Sequence, residues 1–237
     1  MSLRAVFFDA GWTLIHADPP VGEIYAREAA RLGARVEPSR MEDALGKARR
    51  DYAARAAREG LPLQVSDAQD RQMWRLLTRA VHASLPEMRP VDAEAWFDRV
   101  HEPFTRAEGW RLYPDARRAI DLCRERGLAV GIVSNWSSHL LGICEGMGLA
   151  ARVDFILASA VEGHAKPDGR IFERALRRAR VSPAEALHVG DTYEEDVVGA
   201  RGAGLRAVWV DRKGAPPRDG VPTVSSLDGL LPHMEGA

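Results

Sequence analysis

Asp9 closes a short apolar run, Ala5-Val6-Phe7-Phe8, and runs straight into Ala10-Gly11. A lone carboxylate delivered into a glycine-containing turn can be a nucleophile, a metal ligand or the cap of the segment that follows. Polar groups recur where later apolar runs stop: Ser134-Asn135, the turn Gly190-Asp191-Thr192, and Lys166-Pro167 on a loop. If those runs are parallel strands, all of these groups share one edge of a sheet. Two carboxylates facing each other there, Asp9 and Asp191, repel unless a cation lies between them, and oxygen-only ligands select a hard ion such as Mg²⁺. Lys166 adds fixed positive charge. Beside a hydroxyl, an amide and loop N–H groups, that charge makes a site for a dianionic phosphoryl group. A carboxylate so placed attacks phosphorus and is later released by water, which is covalent catalysis.

The elements that must position these groups follow from the pattern around them. The Val- and Phe-rich run before Asp9 reads as a strand buried on both faces, as in a parallel sheet covered by helices. His16-Ala17-Asp18-Pro19-Pro20 reads as a turn-rich connector. From 21 to about 104 the chain is helix-forming, with helices expected at 21–32, 38–59, 67–84 and 91–104. They are broken by Gly33, by Gly60-Leu61-Pro62 and by the stretch from Leu85-Pro86 to Pro90. Met73, Leu76, Leu77 and Val81 recur at helical spacing and bury one stripe. From Pro114 strands and helices alternate: helix 114–126, strand 128–133, helix 138–147, strand 155–157, helix 168–180, strand 186–189, a helix to about 203, strand 207–210 and, after a Pro- and Gly-rich stretch at 214–222, a last helix at 226–232. This alternation predicts an α/β fold with a doubly wound parallel sheet. The helical stretch interrupts it as a separate module above the sheet's carboxyl edge.

At 237 residues the chain can bury a sizeable core, and its formal net charge of −1 gives no global electrostatic case for nucleic acid or an anionic membrane. Any anion site is therefore local. Of 33 basic residues only Lys47, Lys166 and Lys213 are lysines, which singles out a lysine in a loop. Cys123 and Cys144 fall in expected helices and form neither a disulfide framework nor a metal-binding spacing. No apolar run approaches the ~18 residues needed to span a bilayer, and no signal-peptide pattern precedes the first strand, so a cytoplasmic location is expected.

Four ordered motifs resemble those of the haloacid dehalogenase-like hydrolases, helical-cap subfamily, over nearly the whole chain. Phe8-Asp9-Ala10-Gly11-Trp12-Thr13 is similar to the family's nucleophile loop, which implies Asp9 as nucleophile and Thr13 as the hydroxyl four residues on. Val133-Ser134-Asn135 resembles the phosphate-contacting hydroxyl and amide. Lys166-Pro167, followed by Ile171-Phe172, resembles the loop whose lysine neutralises the nucleophile and the transferring group. Gly190-Asp191-Thr192-Tyr193-Glu194-Glu195-Asp196 resembles the acidic motif, with Asp191 as metal ligand and Asp196, or Glu195 beside it, as the second carboxylate. The resemblance implies a Rossmann-like core of residues 1–16 plus 109–237 and a helical cap of residues 17–108 that closes over the site and chooses the substrate.

One departure bears on mechanism. Family phosphatases usually carry a second Asp two residues after the nucleophile, where it protonates the leaving group and later activates water. Here that position is Gly11, which keeps only a backbone carbonyl for a metal, and such a proton shuttle is worth about 10²–10⁴-fold. The family's dehalogenases also lack this Asp, since halide leaves without a proton, yet they work without metal, whereas Gly190-Asp191 with Asp196 is the pattern of the metal-dependent members. Trp12, where the family usually has Gly, adds bulk beside the nucleophile.

Each remaining group has a plainer reading. Asp191 could cap the next helix, Ser134-Asn135 could merely end a strand, and Trp136 could pack rather than line a pocket. His188 reads as a hydrogen-bonded core histidine, and His164 as a loop residue. Gly199, Gly202 and Gly204 follow a helix and precede a strand, the reverse of a dinucleotide loop. Arg49-Arg50 and Arg55 read as solvated, with one of them able to reach a substrate anion. The expectation is an Mg²⁺-dependent phosphatase of a small phosphorylated metabolite acting through Asp9, as monomer or homodimer, with neither nucleic acid nor membrane as partner. The rivals are halide displacement from a 2-haloacid and a catalytically weak phosphate- or partner-binding protein.

Overall fold

Ala5, Val6, Phe7 and Phe8 are all fully buried, and they form β1 (Ala5–Phe8), with Val6 and Phe8 in the core on one face and Ala5 and Phe7 in the core on the other. A strand covered on both faces has no solvent side to alternate with, which is why it reads as a continuous apolar run. The structure, a computed structural model, describes residues 2–59, 64–216, 218 and 220–234. The expected break at Gly60-Leu61-Pro62 lies outside them, as do Pro217 and Asp219 of the Pro- and Gly-rich stretch.

After β1 the chain forms a short strand, β2 (Ile15–Ala17), then four helices: α1 (Val21–Arg31), α2 (Pro38–Glu59), α3 (Asp67–Ser84) and α4 (Ala93–His101). Side chains start two of them, Ser66 Oγ accepting from Gln69 N–H and Asp92 Oδ1 from Ala95 N–H. These helices bury their own core, built around Met41, Leu77, Val81, Met88, Trp96 and Val100. The chain then returns through β3 (Trp110–Leu112), α5 (Pro114–Glu125), β4 (Ala129–Ser134), α6 (His139–Gly146), β5 (Phe155–Ala158), α7 (Ser159–Glu162), α8 (Gly169–Ala179), β6 (Ala186–Gly190), α9 (Gly199–Gly202), β7 (Arg206–Val210), β8 (Thr223–Val224) and α10 (Leu231–Met234).

The six-stranded sheet is parallel throughout, in the order β5-β4-β1-β6-β7-β8. The α/β, Rossmann-like class is therefore as expected. The chain leaves β1 toward β4 on one side and later toward β6 on the other, so the crevice of the sheet opens at β1's carboxyl end, where Asp9 sits.

Three local differences matter to the site. His16 and Ala17, expected in a connector, lie in β2, which pairs antiparallel with β3 in the register His16 with Arg111. The last expected insert helix is shorter, with 3₁₀ turns at Pro86–Met88 and Glu102–Thr105 flanking α4. The helix expected after Asp191 begins as a π-helical turn, Tyr193–Val198, before α9. Single π turns of this kind favour functional positions. No helix of the described residues is long and apolar enough to cross a membrane.

Candidate active site

The nucleophile loop is tied to itself and to the far end of the chain. Trp12 N–H donates to Ile15 O, and the N–H groups of Leu14 and Ile15 both donate to Ala10 O, leaving the Gly11 carbonyl outside the loop's own hydrogen bonds. Trp12 takes φ 54°, a left-handed conformation in which a bulky side chain is strained. Arg212, which the sequence did not single out, holds this conformation from after β7. Its guanidinium donates to Trp12 O at 3.2 Å and Thr13 O at 2.8 Å, pairs with both oxygens of Asp115 at 2.9 and 3.0 Å, and stacks 3.7 Å over the Tyr113 ring. Thr13 is fully buried, and its hydroxyl meets no hydrogen-bond partner among the described residues.

Asp9 is 7% exposed. One of its oxygens, Oδ1, accepts from Ser134 Oγ at 2.8 Å and from Lys166 Nζ at 2.7 Å, while Oδ2 accepts nothing among the described residues. Lys166 is itself 1% exposed and also donates to Asp196 Oδ1 at 2.5 Å. The same Asp196 oxygen meets His188 Nε2 at 2.8 Å, and Asp196 Oδ2 accepts the Thr192 N–H at 2.9 Å. The π turn folds Asp196 back so closely that a Cβ at Gly190 would lie 2.1 Å from its Cγ, which is why only glycine serves at 190. His188 is a hydrogen-bonded core histidine as expected, in β6, with Nδ1 buried and unpartnered.

Asn135 sits beside Asp9 but spends its amide elsewhere. Its Oδ1 accepts from Lys166 N–H at 2.7 Å, and its Nδ2 donates to Lys166 O and to Glu195, both at 2.8 Å. The side chain thereby fixes the backbone of the lysine loop. Among the described residues Asp191 has no side-chain hydrogen bond; the cap position after it is Thr192, which makes no side-chain cap bond either. Its carboxylate is thus not consumed in capping.

One lysine faces four carboxyls. Burial pushes Asp9 up, with Lys166 opposing. Burial, then the charges of Asp9 and Asp196, drive Asp191 well above the usual carboxylate range, and burial takes Glu195 to about 7. Burial would raise Asp196 too, but Lys166 and His188 hold it below its ordinary value; burial would depress Lys166, but Asp196 and Asp9 keep it charged. A group of carboxyls that resists ionising is short of positive charge. Asp9, Asp191 and Asp196 each offer one oxygen, all within 4.8 Å of one another. This hard-oxygen set and the unpartnered Asp191 fit a cation such as Mg²⁺. Asp196 is the least free of the three, since Lys166, His188 and Thr192 already take most of its acceptor capacity.

Above the edge opens a cavity of ≈ 950 Å³ lined both by this edge and by the helical insert. Its walls combine aromatic rings, Trp12, Trp74, Trp110 and Trp136 among them, with polar side chains such as Gln64, Asp70 and Thr78. Trp110 stands edge-on to Trp12, with centroids 6.1 Å apart, and to Trp136, 4.7 Å apart. Arg49 of α2 lies between the Trp12 and Trp74 rings, 5.0 Å from each centroid, and makes no ion pair among the described residues; Arg50 and Arg55 do not line the cavity. Trp136 closes over the nucleophile loop: a Cβ at Gly11 would lie 3.0 Å from its ring. No sequence signal links these four indoles, because each comes from a different element.

Residues 3–204 match the sequence pattern of the haloacid dehalogenase-like hydrolases. The haloacid dehalogenase-like hydrolase domain-containing protein 3 of Mus musculus is 35% identical over 245 residues, covering 99% of this chain and 95% of that protein. A phosphoserine phosphatase of Thermus thermophilus is 43% identical over 136 residues, 56% of this chain and 51% of its own length. Among solved structures, a dehalogenase superposes with a TM-score of 0.73 at 24% identity, over 100% of this chain and 99% of that one, a likeness of fold.

Proposed function

This chain belongs to the haloacid dehalogenase-like hydrolase family, and from that premise we propose that it is an Mg²⁺-dependent phosphatase of a phosphorylated small molecule, with residues 17–108 as its cap. One observation carries the reading: Asp9 Oδ1 is held by Ser134 and Lys166 while, among the described residues, Oδ2 stays unbonded beside a carboxyl group, Asp191, that makes no ion pair. The phosphatase relative in Thermus thermophilus supports the same chemistry.

In this mechanism Asp9 Oδ2 attacks phosphorus and forms an aspartyl-phosphate, which water then cleaves to restore the carboxylate. Ser134 and Lys166 fix the nucleophile's rotamer, and Lys166 offsets charge on the transferring oxygens. Asp196 orients and charges Lys166, while Asn135 locks that lysine's backbone. Asp9, Asp191, Asp196 and the Gly11 carbonyl would hold Mg²⁺, and the ion would supply charge stabilisation for the phosphoryl group. Thr13, whose hydroxyl has no partner among the described residues, is fully buried and outside the cavity's lining, and so supports the nucleophile loop rather than touching the substrate. Gly11 supplies no proton.

The test is hydrolysis of an activated aryl phosphate by wild type and Asp9→Asn, each with Mg²⁺ and with chelator. Phosphate release by wild type with Mg²⁺ alone, and a loss of about 10⁴-fold or more in Asp9→Asn, is the expected result. Gly11 keeps a second reading in view, because halide needs no acid to leave. Chloride release from a 2-chloroacid in the presence of chelator, without phosphatase activity, would decide for it.

A further inference from the structure

The cavity above Asp9 says something about the substrate's organic part that the catalytic edge does not. Resting on the phosphatase reading, we infer that the substrate is an aryl phosphate: a phosphate monoester whose bridging oxygen is borne by a flat aromatic body of at least two fused rings, seated among the indoles of the cap cavity.

Size is the first support. A cavity of ≈ 950 Å³ lies at the upper end of the range for small-molecule sites, and a phosphoryl group on a two- or three-carbon body would leave most of it to water against apolar walls. The lining is the second. Trp12, Trp110 and Trp136 form a continuous run of edge-to-face indoles that starts at the nucleophile loop, and Trp74 closes the opposite side from the cap. Rings set edge-on to one another present faces and edges to a planar guest, the geometry that aromatic pairs favour. Arg49 offers a flat, stackable cation between Trp12 and Trp74 rather than a paired salt bridge, which again suits a π-system.

The third support is independent of the cavity's contents. Gly11 provides no general acid, and the ring of Trp136 occupies the space that a side chain at 11 would enter, 3.0 Å from its Cβ position. Position 11 therefore gives the leaving oxygen no proton, which favours an ester whose oxygen departs readily as an anion. As Asp9 Oδ2 bonds to phosphorus, the P–O bond to the organic group breaks and its electron pair leaves on that oxygen. A phenolate or naphtholate carries that charge in its ring; an alkoxide does not. Water then adds to phosphorus, the Asp9–phosphorus bond breaks with its pair returning to the carboxylate, and the water proton ends on the naphtholate through solvent. The products are an aryl alcohol and inorganic phosphate. An aromatic wall and a missing acid thus select the same class of ester.

The experiment has a turnover arm and a binding arm. In the first, kcat/KM is compared for 2-naphthyl phosphate, phenyl phosphate, 2-phenylethyl phosphate and glycerol phosphate. Naphthyl is expected to exceed phenyl by about tenfold, the gain from burying one more ring, and to exceed 2-phenylethyl, an aromatic ester with an alkoxide leaving group, by about 10²-fold or more. Equal turnover of glycerol phosphate would overturn the inference. In the second arm, quenching of indole fluorescence reports binding of 2-naphthylphosphonate and methylphosphonate, which cannot be hydrolysed. Tighter binding of the naphthyl compound by tenfold or more is expected, reduced about 3–10-fold in Trp74→Ala and restored in part by Trp74→Phe, the change that one aromatic contact brings. Naphthyl and methyl compounds bound alike would overturn the inference whatever the turnover. Naphthyl preference with no ester hydrolysed overturns the phosphatase reading and leaves the aromatic occupant of the cavity supported.

Discussion

Two regions meet at Asp9, and they are built on opposite principles. Along the sheet edge, β1, β4, β6 and the lysine loop each contribute a group to one continuous network, with Ser134, Lys166 and Asp9 joined at 2.7–2.8 Å. In the cavity the contacts are ring to ring, at centroid separations of 4.7–6.1 Å, with few hydrogen bonds to dictate position. A buried hydrogen-bonded network fails when one member is lost, because the survivors are left unpaired in a low-dielectric site. An aromatic wall can be re-cut one ring at a time. The fold can therefore keep its chemistry while changing its substrate, and the two regions constrain each other where Gly11 meets Trp136.

Breaking the network on its own side gives the largest effect. Lys166→Met leaves Asp9 and Asp196 buried without their cation, and removing one partner of a buried ion pair costs about 3–5 kcal/mol. Denaturant unfolding with chelator present reads this directly; a loss under about 1 kcal/mol would mean that the edge is as tolerant as the cavity. The contact between the regions comes next. Gly11→Asp alone is expected to bring little gain, since its Cβ would lie 3.0 Å from the Trp136 ring, which must give way to admit it. With Trp136→Ala added, hydrolysis of alkyl phosphates should rise by about 10²-fold, the lower range for a general acid. A single Gly11→Asp variant as active as the double would show that the indole does not set the chemistry.

The difference between the regions also explains what the sequence disclosed. Asp9, Ser134 and Lys166 stand at or after the carboxyl ends of apolar runs, and parallel strands bring such ends together, so their meeting could be read from order alone. The helices of the insert were legible from their breaks and periodicity for the same local reason. Glu195, His188 and Asn135 show where that logic stops. Their hydrogen bonds depend on a π turn after Asp191 and on the register of β6, and neither leaves a signature in spacing. The β2–β3 pair was missed because its two strands, three residues each, lie far apart in sequence and hide in turn-like composition. Trp12 and Trp136 could be named from the sequence, but Trp74 and Trp110 were not singled out, since only the packing of the insert on the sheet brings the four together.

Proton linkage sharpens the comparison on the edge. Asp191 lies well above the ordinary carboxylate range and Glu195 near 7, both from burial, so each holds a proton more tightly in the fold than in the unfolded chain. The stability these groups contribute is present at low pH and lost as pH rises through their folded values. A divalent cation at Asp191 must displace that proton, so its affinity rises with pH in the same window. Thermal-shift titrations should give an Mg²⁺ dissociation constant that tightens as pH rises, by up to about tenfold per pH unit for as long as Asp191 stays protonated. An affinity independent of pH would place the cation elsewhere.

The smallest expected effect tests how the edge receives its nucleophile loop. Arg212 bonds the carbonyls of Trp12 and Thr13, grips Asp115 with two nitrogens and lies flat on Tyr113. Lysine keeps the charge but has neither the planar fork nor the stacking face. Trp12 is held at φ 54°, so loosening this clamp lets the loop relax toward an ordinary conformation and displaces Asp9 and the Trp12 ring together. In Arg212→Lys, kcat should fall about 3–10-fold, within the ~10²-fold that a 1 Å misplacement can cost. If Arg212 positions both regions, KM for a naphthyl ester rises as well, while KM for phenyl phosphate, which reaches fewer of the indoles, changes less. A loss of thermal stability with kcat and both KM values unchanged would reduce Arg212 to a structural strut, and the two regions would then be positioned independently.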